Sequence, residues 1–341
     1  MEPITYNVIW FVLVGVLLTV YAILEGFDLG CGILHLFSKS EDERNTITKS
    51  IGPVWDENEV WLITGGGALF AAFPHVYSSV FSGFYLAIIV LMLAILFRAT
   101  GIEIRNKMEN KSWRKVWDAA FGISSLLIAL LLGTALGNVL HGVPMGVDKE
   151  INISLLGLLN PFSLLFGIGT VAVFALHGNI YAIVKSDGEV EKSFIHKLKY
   201  TYPIAALCII AVLITGMFQT HLTANYTANP LLIVIPIFVL VIYTFLIIHI
   251  LKKKYKPAFV FSSVGIALLM TMIVVAMFPN IVFSSLLSEF NLNIYNSASS
   301  QLTLKTMLII AAIGLPPVII YTLYIYRVFR GKVKLSEKMD Y

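Results

Sequence analysis

Apolar residues run along this chain in long blocks separated by short polar connections. Windows of about 20 residues, enough for a helix to cross a hydrocarbon core of roughly 30 Å, pick out nine stretches. They lie at 7–34, 55–74, 78–100, 117–140, 155–184, 202–219, 231–251, 258–279 and 303–327. The pattern predicts nine transmembrane helices and an all-α integral membrane protein, one polytopic domain over 1–341. The first stretch is expected to stay as a helix rather than be cleaved as a signal, because no basic residue precedes it, it runs long, and it carries Glu25 and Asp28.

Composition agrees with the pattern and removes the soluble alternatives. Only 13% of residues are Asp, Glu, Lys or Arg, 58% are apolar and the mean hydropathy is +0.84, so a water-facing fold would expose more hydrocarbon than solubility allows. Cys31 and Cys208 stand far apart in apolar surroundings, which offers neither a disulfide scaffold nor a zinc module; both read as small buried apolar residues.

The net charge of +4 matters through its placement. Of the 24 Lys and Arg, all but Lys149 and Lys305 fall in 35–54, 98–116, 185–201, 252–257 and the tail after 326, which share one side if the chain crosses nine times. By the positive-inside rule that side is the cytoplasm, with the amino terminus outside and the carboxyl terminus inside. The basic runs, Lys252 to Lys256 among them, then act as topology determinants facing anionic lipid, and no nucleic-acid partner is expected.

The sequence carries no phosphate loop, no HExxH, no GxSxG and no EF-hand pattern, so any chemistry lies inside the membrane. Ionisable residues there are costly and become candidates by default. Glu25 and Asp28, spaced i, i+3, share one face near the inner end of the first span. Asp56, Glu57 and Glu59 open the second, and Arg98 ends the third. Five carboxylates and one arginine thus converge at the inner ends of three helices.

Such a chain of acids can pass protons stepwise from the cytoplasm. Each residue also has a plainer reading. Glu57, after Pro53, can serve the free N–H groups and dipole of a helix start. Arg98 either neutralises Asp28 or merely snorkels. The Gly65 to Gly67 run suggests close helix packing, Trp55 and Trp61 an interfacial belt, and the intramembrane His177 a hydrogen-bonded packing residue, with haem ligation the alternative.

EGFDLGCGIL (25–34), IGPVWDENEVWLITGGGALFAAFP (51–74) and FSGFYLAIIVLMLAILFRATGIEIRNK (81–107) resemble the amino-terminal signature of subunit II of cytochrome bd quinol oxidases. The match is dense over the first third; beyond it the agreement is in length and span count. The resemblance implies two four-helix bundles, 7–140 and 155–279, with 303–327 as a peripheral ninth helix. It implies a haem-bearing subunit I as heterodimer partner, holding haems b and d and the quinol site and reducing dioxygen to water in a bacterial cell membrane. It also admits small single-span accessory subunits and a structural quinone or lipid on this chain. Carried over by motif, the residues that support the haem region and a cytoplasmic proton route are Asp28, Trp55, Asp56 and Arg98, with Glu25 and Glu57 beside them.

Two other classes compete. A stand-alone proton-coupled transporter or channel predicts paired broken helices in symmetric halves around a midplane site, whereas Pro203, Pro236, Pro316 and Pro317 show no matched pairing. A passive scaffold would use its acids only to set helix ends.

Overall fold

The computed structural model describes residues 5–220 and 223–333; His221, Lys334 and Lys338 lie outside the described residues. The helices are α1 (Tyr6–His35), α2 (Glu41–Ile51), α3 (Trp55–Ala72), α4 (Pro74–Gly83), α5 (Tyr85–Ile104), α6 (Lys111–His141), α7 (Pro161–Lys185), α8 (Gly188–Gln219), α9 (Ala224–Ala228), α10 (Val234–Leu251), α11 (Tyr255–Met277) and α12 (Gln301–Val328). Two short strands, β1 (Asn280–Val282) and β2 (Leu292–Asn293), pair antiparallel.

Among the described residues, eight helices are long and apolar enough to cross a membrane, and the bent pair α3 and α4 makes nine when it is counted as one broken span. Here the structure corrects the sequence reading. The second stretch does not run straight to 74; the chain turns by 118° between α3 and α4. Pro74 has no N–H to offer, and the residue before a proline is pushed out of the helical region, as Phe73 is at φ −132° and ψ 65°. The third span therefore starts at Tyr85, not at 78. Eighteen residues of α3 still reach about 27 Å. Its last carbonyls, Ala71 O and Ala72 O, accept hydrogen bonds from Ser299 Oγ at 2.7 Å and Ser299 N at 2.9 Å, at the end of the molecule opposite its acidic first turn.

The segments that carry most of the positive charge meet at one end. Lys197 Nζ lies 2.8 Å from Glu43, Lys332 Nζ 2.8 Å from Glu191, and Tyr181 donates to Ser50 O at 3.0 Å. The α2 helix, read from sequence only as a charged connection, has its own start signal: Glu43 N donates to Ser40 Oγ while Lys39 N donates to the Glu43 carboxylate. Ile47 and Ile51 then bury its inner face.

At the other end, segments 142–160 and 278–300 fold together rather than forming separate polar loops. Val143 N donates to Phe283 O at 3.0 Å and Ser285 N to Val143 O at 2.9 Å. Val143, Met145, Ile151, Val282, Phe283 and Ile294 are buried, so this cap closes over the helix ends with its own apolar core.

The central element is α1, packed against α3, α6, α7 and α11. Its contact with α7 is a backbone approach: a Cβ on Gly30 would stand 1.8 Å from Phe174 O, and one on Gly178 would stand 2.4 Å from Cys31 N. Only glycine fits at this crossing. The Gly65 to Gly67 run, expected to provide such packing, does so only in part. Gly65 faces Leu18, while Gly66 and Gly67 face open space. By contrast α12 is largely exposed and packs chiefly on α1 and α3.

A buried charge cluster as candidate functional site

The helix crossing just described sets α1 so that Glu25 and Asp28 are both fully buried. With a rise of 1.5 Å per residue, Glu25 lies about 15 Å inside the basic end of α1. From α5, the buried Arg98 places Nη1 2.6 Å from Glu25 Oε1 and 3.3 Å from Glu59 Oε2, which α3 contributes from its second turn. The expected pairing of Arg98 with Asp28 is not what the fold makes. Instead Asp28 Oδ2 accepts a 2.7 Å hydrogen bond from Asn58 Nδ2. Facing i, i+3 positions of one helix thus reach different partners, Glu25 the guanidinium from α5 and Asp28 the amide from α3.

The remaining candidates occupy distinct places. Asp56 is exposed at the start of α3, outside the cluster, with its charge still acting on Glu59. The half-buried Glu57 has both carboxylate oxygens buried without a partner among the described residues. Trp55 packs against the Phe27 and Val54 core. Trp61, read as interfacial, is instead buried with Leu17 and Tyr21 between α1 and α3. Sequence reasoning gave Asn58 no role. Its signal was available, as a neutral amide set among the acids of a helix start.

This site is under-satisfied, which is unusual for buried polar groups. Arg98 Nε and Nη2, Asp28 Oδ1, Tyr21 Oη and Trp61 Nε1 all lack a partner among the described residues. Tyr21 stands one turn from Glu25 on α1 and also lines an apolar cavity of about 820 Å³ among α1, α6, α7, α8, α10 and α11. The polar cluster and the cavity therefore meet at one phenol.

No three His, Cys, Asp or Glu side chains gather in metal-ligating geometry among the described residues. His177 does not fit an axial haem ligand. Its Nε2 faces Ile23 O at 3.1 Å and its Nδ1 faces Ser262 Oγ at 2.9 Å, so Nε2 carries the hydrogen and Nδ1 accepts the hydroxyl. The ring stacks on Phe259 with centroids 4.8 Å apart. Both nitrogens are taken, and the residue joins α1, α7 and α11.

A second buried arginine lies nearer the basic end. Arg105 bonds Asp118 through Nε, Asn45 at 2.8 Å through Nη1 and Glu41 at 2.8 Å through Nη2. Asp118 also pairs with His35 Nε2 at 2.6 Å. This clamp ties the ends of α1, α2, α5 and α6.

Comparison with known proteins places the whole chain in context. The family model described as cytochrome bd terminal oxidase subunit II matches residues 6–329. Cytochrome bd ubiquinol oxidase subunit 2 of Bacillus subtilis (strain 168) is 34% identical over 336 residues, 98% of each chain. Cytochrome bd-I ubiquinol oxidase subunit 2 of Escherichia coli (strain K12) is 35% identical, covering 96% of this chain and 95% of that one. A chain in the structure of bd oxidase from Geobacillus thermodenitrificans shares the fold with a TM-score of 0.75 at 14% identity, covering 96% of this chain and 99% of that one.

Proposed function

The chain belongs to the cytochrome bd terminal oxidase subunit II family, and from that premise we propose that it is the non-haem-ligating subunit of a bacterial bd-type quinol:dioxygen oxidoreductase. It pairs with a haem-bearing subunit I and brings protons to it from the cytoplasm. Haems b and d, held by the partner, supply the electron transfer that reduces dioxygen. The amino terminus is outside and the basic end cytoplasmic, as the Lys and Arg distribution supports.

The observation that carries the reading is the fully buried pair Glu25 and Asp28, with the partly buried Glu59, gathered near one guanidinium that bonds Glu25 and Glu59. Two carboxylates held out of water and a third partly so, beside a single cation, cannot all stay ionised at acceptable cost, so the group as a whole stores exchangeable protons. Asp56, exposed at the basic end, is the outer collector, and Glu59 passes protons to the buried acids. Arg98 keeps part of the set charged, and its unpartnered Nε and Nη2 give water or a partner group a place to bind. The apolar cavity beside Tyr21 suits the chain of a structural quinone or lipid. A stand-alone carrier finds little support: the described residues contain one bent helix pair, without a counterpart in the second half.

The test is purification in mild detergent through a tag on this chain. A complex with a haem-bearing partner, reduced-haem absorbance and quinol-dependent oxygen uptake is the expected result. A colourless protein that moves solute in liposomes overturns it. Within the assembled complex, Asp28→Asn and Asp56→Asn should each slow turnover, Asp28→Asn by more. Parent turnover in Asp28→Asn would end the proton-route assignment, and parent turnover in Asp56→Asn would remove Asp56 as its outer collector.

A further inference from the structure

The ninth long helix, α12, has an oddly placed polar group. Of its residues only Leu304 and Thr322 are buried, and most of its surface is apolar and exposed. Yet near its basic end the Tyr326 hydroxyl reaches inward and donates to Asn58 Oδ1 at 2.9 Å. Asn58 is itself fully buried, and its Nδ2 is the donor to Asp28 Oδ2 at 2.7 Å. The tyrosine ring lies edge-on to Phe27, centroids 6.4 Å apart, beside Asp28 in sequence. A continuous polar chain, Tyr326 to Asn58 to Asp28, thus runs from an outer helix into the acid cluster.

The chemistry of the middle link decides what this chain can do. An amide has fixed donor and acceptor ends. It conveys orientation and polarisation but does not hand a proton through, since that would need a high-energy imidic acid. A hydroxyl donated to the carbonyl strengthens the amide N–H as a donor to the carboxylate. One oxygen of Asp28 is held in this way, whereas Oδ1 has no partner among the described residues.

We propose that Asn58 and Tyr326 are positioning residues of the proton route: they hold the Asp28 carboxyl by Oδ2 so that Oδ1 alone accepts and releases protons. The inference rests on the proton-route reading above and adds α12 to it. The ninth helix then sets the geometry of the route without touching the transferred proton, and its packing on α1 and α3 becomes part of the rate.

The experiment uses the complete oxidase complex and four forms: parent, Tyr326→Phe, Asp28→Asn and the double variant. Losing one neutral hydrogen bond in the chain should lower turnover about fivefold. The solvent deuterium isotope effect on turnover should rise, because proton transfer becomes more rate-limiting, while the KM for quinol and the haem absorbance stay at parent values. In the Asp28→Asn background, Tyr326→Phe should cost nothing further, since it acts through Asp28. Asn58→Leu should lose more than Tyr326→Phe; if it fails to assemble, Tyr326→Phe decides.

Parent turnover and isotope effect in Tyr326→Phe overturn the inference, as does a full additive loss in the double variant. If Asp28→Asn slows turnover while Tyr326→Phe does not, only this inference falls. If Asp28→Asn runs at the parent rate, the proton-route reading itself falls.

Discussion

Two buried arginines about seven residues apart on one helix and its end live under opposite conditions. Arg105 has all three of its nitrogens bonded, to Asp118, Asn45, Asn106 and Glu41, and Asp118 is shared with His35. Arg98 engages two carboxylates through Nη1 alone, and its Nε and Nη2 have no partner among the described residues. A fully satisfied network fixes geometry and resists change; a partly satisfied one is costly unless it is used. The clamp at Arg105 therefore reads as structure and the cluster at Arg98 as chemistry, although both are arginines buried among acids near the same end of the molecule.

That contrast can be broken by experiment. The largest effect is expected for Arg98→Met, which leaves Glu25 buried and unpaired. Quinol oxidase turnover per haem should fall about a hundredfold, equivalent to about 3 kcal/mol, and thermal stability in detergent should fall with it. Adding Glu25→Gln should restore much of the stability but not the turnover, because the charge imbalance is removed while the route stays broken. Recovery of turnover in the double variant would place the arginine's role in structure after all.

Arg105→Met should show the reverse pattern. Breaking a buried ion network costs about 3–5 kcal/mol, read as a lower unfolding temperature and a poorer yield, yet the complex that does assemble should turn over within about twofold of the parent. A turnover loss as deep as that of Arg98→Met would erase the distinction between the two sites.

The smallest effect concerns the tie between α2 and α8. Burial pushes the Glu43 carboxyl up, but hydrogen bonds from Lys197 and Ser193 outweigh it and hold the group below its ordinary value of 4.5. A carboxyl lowered by folding stabilises the protein above its unfolded value, and that contribution disappears as pH falls through the lowered one. Glu43→Gln should therefore cost about 1 kcal/mol at pH 7. The gap between variant and parent unfolding temperatures should narrow progressively as the pH is lowered below 4.5. A gap independent of pH would mean that Glu43 acts through packing alone.

The transmembrane character, the order and rough places of the spans and the gathering of acids at one end were legible in the sequence, although the third helix starts at Tyr85 rather than 78 and the sixth long one at Gly188 rather than 202, because hydrocarbon length and the cost of charge in lipid act on each segment separately. Helix α2 was legible too, in the Ser40 and Glu43 start signal, but its charges drew attention away from its buried face. The break at Phe73 had its own marker in Pro74.

Other features depended on which segments meet, and local pattern does not encode that. Nothing within α1 says that Glu25 rather than Asp28 takes Arg98, since both face the same way; the depth at which α3 and α5 cross α1 decides it. Tyr326 lies 268 positions from Asn58 along the chain and reaches it only because α12 settles on α1 and α3. Sequence alone determined that this protein lives in lipid and where its costly charges are, since solvation energy is a property of each residue and its neighbours in the chain. Which of those charges are paired, and which keep polar atoms without a partner among the described residues, was decided by helix packing, because a hydrogen bond needs its partner within about 3 Å and only the tertiary fold brings one there.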